Sequence, residues 1–250
     1  IEDEMWSLIS EPSWAIPAHN VYIRDTQQLP VPDLSRPVLD LFAMESAEIM
    51  ALSYSLLGDR LDQSLKASML YEVRRRIIDP YLSSWFWWMG KEGKEKLNNW
   101  TVWCSQNVLL TVLAMPFADD IRTRVAEKAA ASIDDWYMQY SDDGCCDEGA
   151  QYWHAAPLCF FGCIKILSEA TGGALSSLSS DMKLRAMASY ITNVHVADDR
   201  YLNFADCSPC AGWLGAREYL FGSFAGCSEL VELAVSDFRE QYSKAVAEGR

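Results

Sequence analysis

Apolar side chains cover most of the circumference of residues 38–57 (VLDLFAMESAEIMALSYSLL), and the run stops at Gly58, which predicts a helix buried on several sides. After a three-residue break, residues 61–78 carry mixed charges ending in Arg74, Arg75 and Arg76. They then meet Asp79-Pro80, which predicts a solvent-facing helix terminated there. The alternation repeats. Residues 99–113 are again mostly apolar, whereas residues 119–140 open on two aspartates and set Ile121, Val125, Ala129, Ile133 and Trp136 at helical spacing opposite a charged face. Residues 152–170 (YWHAAPLCFFGCIKILSEA) form a third apolar run closed by Thr171-Gly172-Gly173, and residues 181–193 and 228–247 supply later helices. No stretch alternates apolar and polar residues with the period of a half-buried strand.

Buried helices alternating with amphipathic ones over short breaks form helical hairpins in which outer helices shield inner ones. The expected fold class is therefore all-α, as an incomplete α/α toroid of inner and outer helices. No strict repeat of about 30 to 47 residues marks a consensus solenoid. A chain of 250 residues can be one folding unit, so residues 1–250 are expected to form a single domain. The irregular stretches 10–37, 85–98, 141–151 and 194–213 are rich in Pro, Gly, Asn, Asp and aromatic residues, and function is expected in them.

The net charge of −14, from 35 acidic against 21 basic residues, sets the mean field against polyanions, so no nucleic-acid partner is expected. Local cationic groups occur only at Arg74–Arg76 and at Lys91, Lys94 and Lys96. No run approaches the roughly 18 apolar residues of a membrane span, so no membrane partner is expected. The first residues, Ile1-Glu2-Asp3-Glu4, are acidic where a signal peptide is basic. Eight cysteines are too few for a disulfide-stapled scaffold in a chain of this size. Reduced thiols and a cytoplasmic location are the expectation, with export after removal of a leader as the alternative.

Five of ten tryptophans, Trp85, Trp87, Trp88, Trp100 and Trp103, fall within 19 residues. Flat indole faces suit the apolar C–H faces of sugar rings, and they also serve as core layers. Trp100 and Trp103 are interleaved with Asn98, Asn99, Gln106 and Asn107. On a helix Asn99, Trp103 and then Gln106 or Asn107 share a face, so amides and an indole can point into one cavity. A second group, Asp142-Asp143-Gly144-Cys145-Cys146-Asp147-Glu148-Gly149-Ala150-Gln151-Tyr152-Trp153-His154, crowds acids, a phenol and an imidazole ahead of an apolar helix. These residues can move protons, and Asp147 or Glu148 can instead cap the helix. Asn203-Phe204-Ala205-Asp206 ends in a carboxylate that can hold a turn. His19, in Trp14-Ala15-Ile16-Pro17-Ala18-His19, reads either as a structural hydrogen-bonded residue or as part of a site. Cys207-Ser208-Pro209-Cys210 has the spacer of a zinc pair but no partner pair, and Cys159 with Cys163 reads as core. No cofactor and no metal are expected, and no phosphate loop, nucleophile elbow or zincin motif is present.

At these residues the sequence resembles the heparinase II/III-like family, specifically the N-terminal helical toroid of those polysaccharide lyases and their bacterial relatives. The resemblance covers nearly the whole chain. It rests on Glu11-Pro12-Ser13-Trp14 to His19, on Asn98-Asn99-Trp100 through Asn107, on Asp143-Gly144 through Glu148-Gly149 to Tyr152-Trp153, and on Asn203-Phe204-Ala205-Asp206, all in the family's order. It implies β-elimination of a uronic-acid-containing poly- or oligosaccharide. An amide binds the C6 carboxyl, a base removes the C5 proton and an acid protonates the leaving O4. By resemblance Asn99 is the carboxyl-binding amide and Glu148 the acidic residue, with Tyr152 and His154 as the other catalytic candidates. His19, Trp100, Trp103, Asn107, Trp153, Asn203 and Asp206 are the substrate-binding candidates. The sequence departs from the family at Trp100, where a His is expected, and at Ala155, where the catalytic Tyr is expected. The family toroid is followed by β-sandwich domains, so C-terminal domains of the same chain are an implied partner. Two other readings stand beside it. One is a glycoside hydrolase using Asp143 or Asp147 with Asp206, and the other is a non-catalytic carbohydrate-binding domain.

Overall fold

The structure, a computed structural model, describes residues 1–20, 29, 33–90 and 96–247. The described residues are mainly helical, with one two-stranded sheet among them, and the fold class is all-α. The chain divides into two compact units, Ile1–Gln139 and Tyr140–Arg250.

The first unit contains α1 (Glu2–Ser10), α2 (Pro17–Asn20), α3 (Leu41–Leu57), α4 (Gln63–Val73), α5 (Asp79–Ser83), α6 (Asn99–Ala114) and α7 (Asp119–Gln139). The apolar run at 38–57 becomes helical only from Leu41, because Asp40 is the N-cap and its carboxylate accepts the Ala43 N–H at 2.7 Å. Asp79-Pro80 does not end a helix as expected. Residues Arg74–Ile78 form a π-helical turn that leads from α4 into α5, and the Asp79 N–H reaches back to the Arg74 carbonyl. Pro80 thereby falls in the first turn of α5, where its missing N–H and fixed φ cost little. On α7 the residues Val125, Ala129, Ile133 and Trp136 are buried, as their spacing predicts.

Met44, Ala47 and Met50 of α3, Leu65, Met69 and Val73 of α4, and Val108 and Val112 of α6 form the core of this unit. Trp88 joins them. It is fully enclosed, donates its indole N–H to the Leu39 carbonyl at 2.9 Å, and its own carbonyl accepts the Thr101 hydroxyl at 2.6 Å. Of the tryptophans at 85–88, Trp87 and Trp88 are buried and Trp85 is about half exposed (47%).

The second unit contains α8 (Ala150–Trp153), α9 (Pro157–Ala170), α10 (Met182–Asn193), a hairpin of β1 (His195–Ala197) and β2 (Arg200–Tyr201), α11 (Ala216–Ala225) and α12 (Ser228–Ala247). The apolar run at 152–170 is therefore two helices. Pro157 opens α9 and holds Ala156 out of helical geometry (φ −113°, ψ −88°). The hairpin pairs His195 with Tyr201 and Ala197 with Arg200, and turns through Asp198 at φ 53°. Phe221 of α11 stacks on Phe161 (4.8 Å between centroids) and on Trp153 (5.9 Å), while Leu184, Met187, Ile191 and Leu230 fill the remaining core. Among the described residues no helix is long and apolar enough to cross a membrane. No disulfide joins any of the eight cysteines, of which Cys159 and Cys163 are buried on α9.

Candidate functional site

The first unit gathers His19, Trp100, Trp103 and Asn107 with acids that the sequence reading did not single out. α6 is an unusual core helix because Asn99, Thr101, Ser105, Gln106, Asn107 and Thr111 are all buried. Buried polar groups are costly unless partnered, and α3, the helix packed most extensively on α6, supplies carboxylates. The Trp103 indole hydrogen-bonds to Glu45. With its amide nitrogen turned towards α3, Asn107 donates to Glu48 Oε2 at 3.1 Å and to the Trp103 carbonyl at 3.3 Å. Glu45 and Glu48 lie three residues apart and so on one face of α3. Burial pushes the Glu45 carboxyl up, the Trp103 bond opposes the shift and the Asp40 charge adds to it.

The segment before α2 is anchored at both ends. Trp14 donates its indole N–H to the Leu8 carbonyl at 2.8 Å, and the Arg76 guanidinium lies 4.9 Å from its ring. Asp40, fully buried, accepts the Ile16 N–H (3.2 Å) on Oδ2, which also lies 2.7 Å from His19 Nδ1, besides the α3 cap on Oδ1. The His19 ring is thereby held 4.9 Å from Trp100, which itself lies 5.2 Å from Trp87. Burial raises the Asp40 pKa, opposed by these three hydrogen bonds. Asn98, not Asn99, caps α6, accepting the Trp100 N–H at 3.1 Å. Asn99 is the first residue of the helix and is only 4% exposed.

In the second unit, one glycine lets the acidic loop and the Asn203–Asp206 loop come together. Gly149 (φ 92°) lies against Cys207 and the Phe204 carbonyl, which a Cβ would approach to 2.6 and 2.8 Å. The Gln151 carboxamide then accepts the Ser208 N–H at 3.1 Å. Glu148 is thus carried on a loop, and Tyr152 on the α8 turn that follows it, beside the 203–208 segment, where Asn203 and Asp206 are exposed. No side chain caps α8. Asp143 holds the Cys145 N–H at 2.9 Å, a turn-making role that does not require an acid catalyst. Cys146 is buried under Tyr140 and the Glu148 N–H, and burial raises its pKa to about 12.

Two residues of this group have structural partners. Trp153 is fully buried, donates to the Met187 carbonyl at 2.8 Å and belongs to the core, so its faces are not open to a sugar. His154 Nδ1 lies 3.2 Å from Glu218, while its Nε2 is buried with no hydrogen-bond partner among the described residues. Burial pushes Glu218 up, but the bonds from His154 and from the Gly215 N–H outweigh it and lower its pKa.

Each guanidinium of the arginine cluster has a carboxylate partner, two of them sharing one. Arg74 pairs with Asp79 (3.5 Å), and Arg75 (2.6 Å) and Arg76 (2.5 Å) both pair with Glu72. Lys91 and Lys94 lie outside the described residues. A cleft of about 590 Å³ in the first unit is lined by Arg36, Arg75, Asp79, Trp85 and Phe86, and none of the α3 or α6 residues above lines it. Among the described residues no three His, Cys, Asp or Glu side chains are grouped so as to hold a metal ion. Compared with models of known protein families and with curated proteins, the chain matches none.

Asp40, Glu45 and Glu48 could have been found from the sequence. Glu45 and Glu48 are acids three apart in a mostly apolar helix with no other charge, and an acid in such a setting needs a buried partner. Glu218 gave no comparable signal, since an acid in the first turn of a helix is common.

Proposed function

We propose that this chain is a carbohydrate-active domain of the α/α-toroid type that binds a uronic-acid-containing poly- or oligosaccharide for β-elimination. The observation that supports this most is the polar face between α3 and α6. Uncharged amides (Asn99, Asn107), indoles (Trp100, Trp103) and two carboxylates (Glu45, Glu48) are concentrated on these core helices, and His19 of α2 lies beside Trp100. Amide donors can stabilise the enolate that develops at a uronate carboxyl, and indole faces can carry the sugar ring. Glu148, Tyr152, Asn203 and Asp206 are the sugar-facing candidates of the second unit. C-terminal domains of a longer chain are the partner that this reading expects, in a cytoplasmic or exported protein.

A second reading, glycoside hydrolysis, is favoured by one observation. Burial raises the pKa of Glu45, which suits a general acid, and Glu48 is a second carboxylate on the same face. The test is incubation with a panel of acidic poly- and oligosaccharides, following ultraviolet absorbance of unsaturated uronate together with new reducing ends, with Asn99→Ala as control. Absorbance that depends on Asn99 supports elimination. Reducing ends without absorbance support hydrolysis, and neither signal supports a binding domain.

A further inference from the structure

Elimination requires a base, and two of the positions first considered for it, 155 and His154, are poorly suited to that role. The chain has Ala155 at the position where a tyrosine is expected. The Nε2 atom of His154, the nitrogen not facing Glu218, is enclosed and so cannot meet a bound sugar. His19 has the opposite geometry. Its Nδ1 is 2.7 Å from Asp40 Oδ2, its side chain is 22% exposed, and no hydrogen bond reaches its Nε2 among the described residues.

We propose that Asp40 and His19 form a carboxylate–histidine dyad, in which Asp40 positions the ring and fixes the proton on Nδ1 so that Nε2 is the proton acceptor of the first-unit site. This proposal rests on the elimination reading above. Both oxygens of Asp40 already accept a backbone N–H, from Ala43 on Oδ1 and from Ile16 on Oδ2. Such a carboxyl group accepts from Nδ1 rather than donating to it, which leaves the Nε2 lone pair free. The ring cannot swing away, because Asp40 is the cap of α3, Ile16 and His19 are tied to the same oxygen, and the ring packs against Trp100 and Phe42. The Asp40 charge in turn raises the pKa of Glu45. In the step, the C5–H bond breaks and its proton passes to Nε2. Its electron pair forms the C4=C5 double bond as the C4–O4 bond breaks. The imidazolium then gives the same proton to the leaving O4 and returns to neutral imidazole.

The sequence holds only three histidines, so the dyad can be read directly by long-range proton–nitrogen NMR of the nitrogen-15-labelled chain, with His154 and His195 as internal references. At a pH where His19 is neutral, the proposal expects the Nδ1–H tautomer. Asp40→Asn retains a capping side chain for α3, which keeps the fold, but turns an amide donor towards the ring and should convert His19 to the Nε2–H tautomer. In the elimination assay, His19→Gln and Asp40→Asn should each lower kcat by roughly 10²- to 10⁴-fold with little change in KM. The fall of kcat/KM on the acid side that reports protonation of the base should be lost in His19→Gln. An Nε2–H tautomer in the unaltered chain, or full kcat in His19→Gln while Asn99→Ala is inactive, overturns the dyad and leaves the elimination reading standing. Absence of elimination in every form, with Nδ1–H observed, overturns the elimination reading and with it the catalytic role of His19.

Discussion

At Gly144 the backbone has φ 75°, and a Cβ would sit 2.2 Å from the Ala186 carbonyl carbon and 2.4 Å from the Met187 nitrogen of α10. No side chain can be accommodated without moving the loop from the helix. Gly144→Ala should therefore lower stability by about 2 kcal/mol or more, read as a shifted urea midpoint, whereas a change within 0.5 kcal/mol would mean that the loop yields freely. Lys128 is a second residue with a defined consequence. Its ammonium donates to the Tyr81 and Ser84 carbonyls at the C-terminal end of α5 and lies 4.4 Å from the Trp85 ring, and burial lowers its pKa to about 8. A lysine with a depressed folded pKa binds fewer protons folded than unfolded between the two values. Stability should then gain from this group as pH rises from about 8 towards its ordinary 10.5. Lys128→Met should remove that upward component from a stability-against-pH series. The roles of Gly144 and Gly149 were legible only as turn signals, because the close approach they permit is made by residues far along the chain.

Helix existence was mostly legible from periodicity, and helix ends were less so. The buried positions of α7 follow from spacing alone, since one charged face leaves one way to bury the other. The passage through Arg74–Ile78 into α5 was not legible, because a π-turn has no pattern of its own and Asp79-Pro80 reads as a stop. The α3–α6 pair shows the same limit for the site. Asn99, Trp103 and Asn107 could be placed on one face of α6, but Glu45 and Glu48 become their partners only once α3 is docked. The pair can be tested as an element. Glu48→Ala leaves the Asn107 amide without its carboxylate and should cost about 1–3 kcal/mol. The double variant with Asn107→Ala should cost less than the sum of the two single changes, by about 0.5 kcal/mol or more in chemical denaturation. Strict additivity would show that the two side chains do not interact.

For the whole molecule, the composition set limits more firmly than it indicated chemistry. A net charge of −14 over 250 residues repels itself, so raising salt from about 0.01 to 0.15 M, which shortens the Debye length from about 30 to 8 Å, should raise Tm in thermal melts. A fall in Tm would mean that attractive pairs such as those of Arg75 and Arg76 with Glu72 outweigh the overall repulsion. All-α architecture was legible because apolar and amphipathic helices alternate along the chain. The division into Ile1–Gln139 and Tyr140–Arg250 was not, since residues 119–140 run unbroken up to it. The central claim, that the polar face of α3 and α6 handles a uronate-containing sugar by elimination, is tested most directly by ultraviolet absorbance of unsaturated uronate. The assay compares the longest available form of the protein with its Asn99→Ala variant on a panel of acidic saccharides. The account predicts absorbance that grows with the unaltered protein and falls by at least about 10²-fold in the variant. No absorbance from a folded protein across the panel, or equal absorbance from both forms, would contradict it.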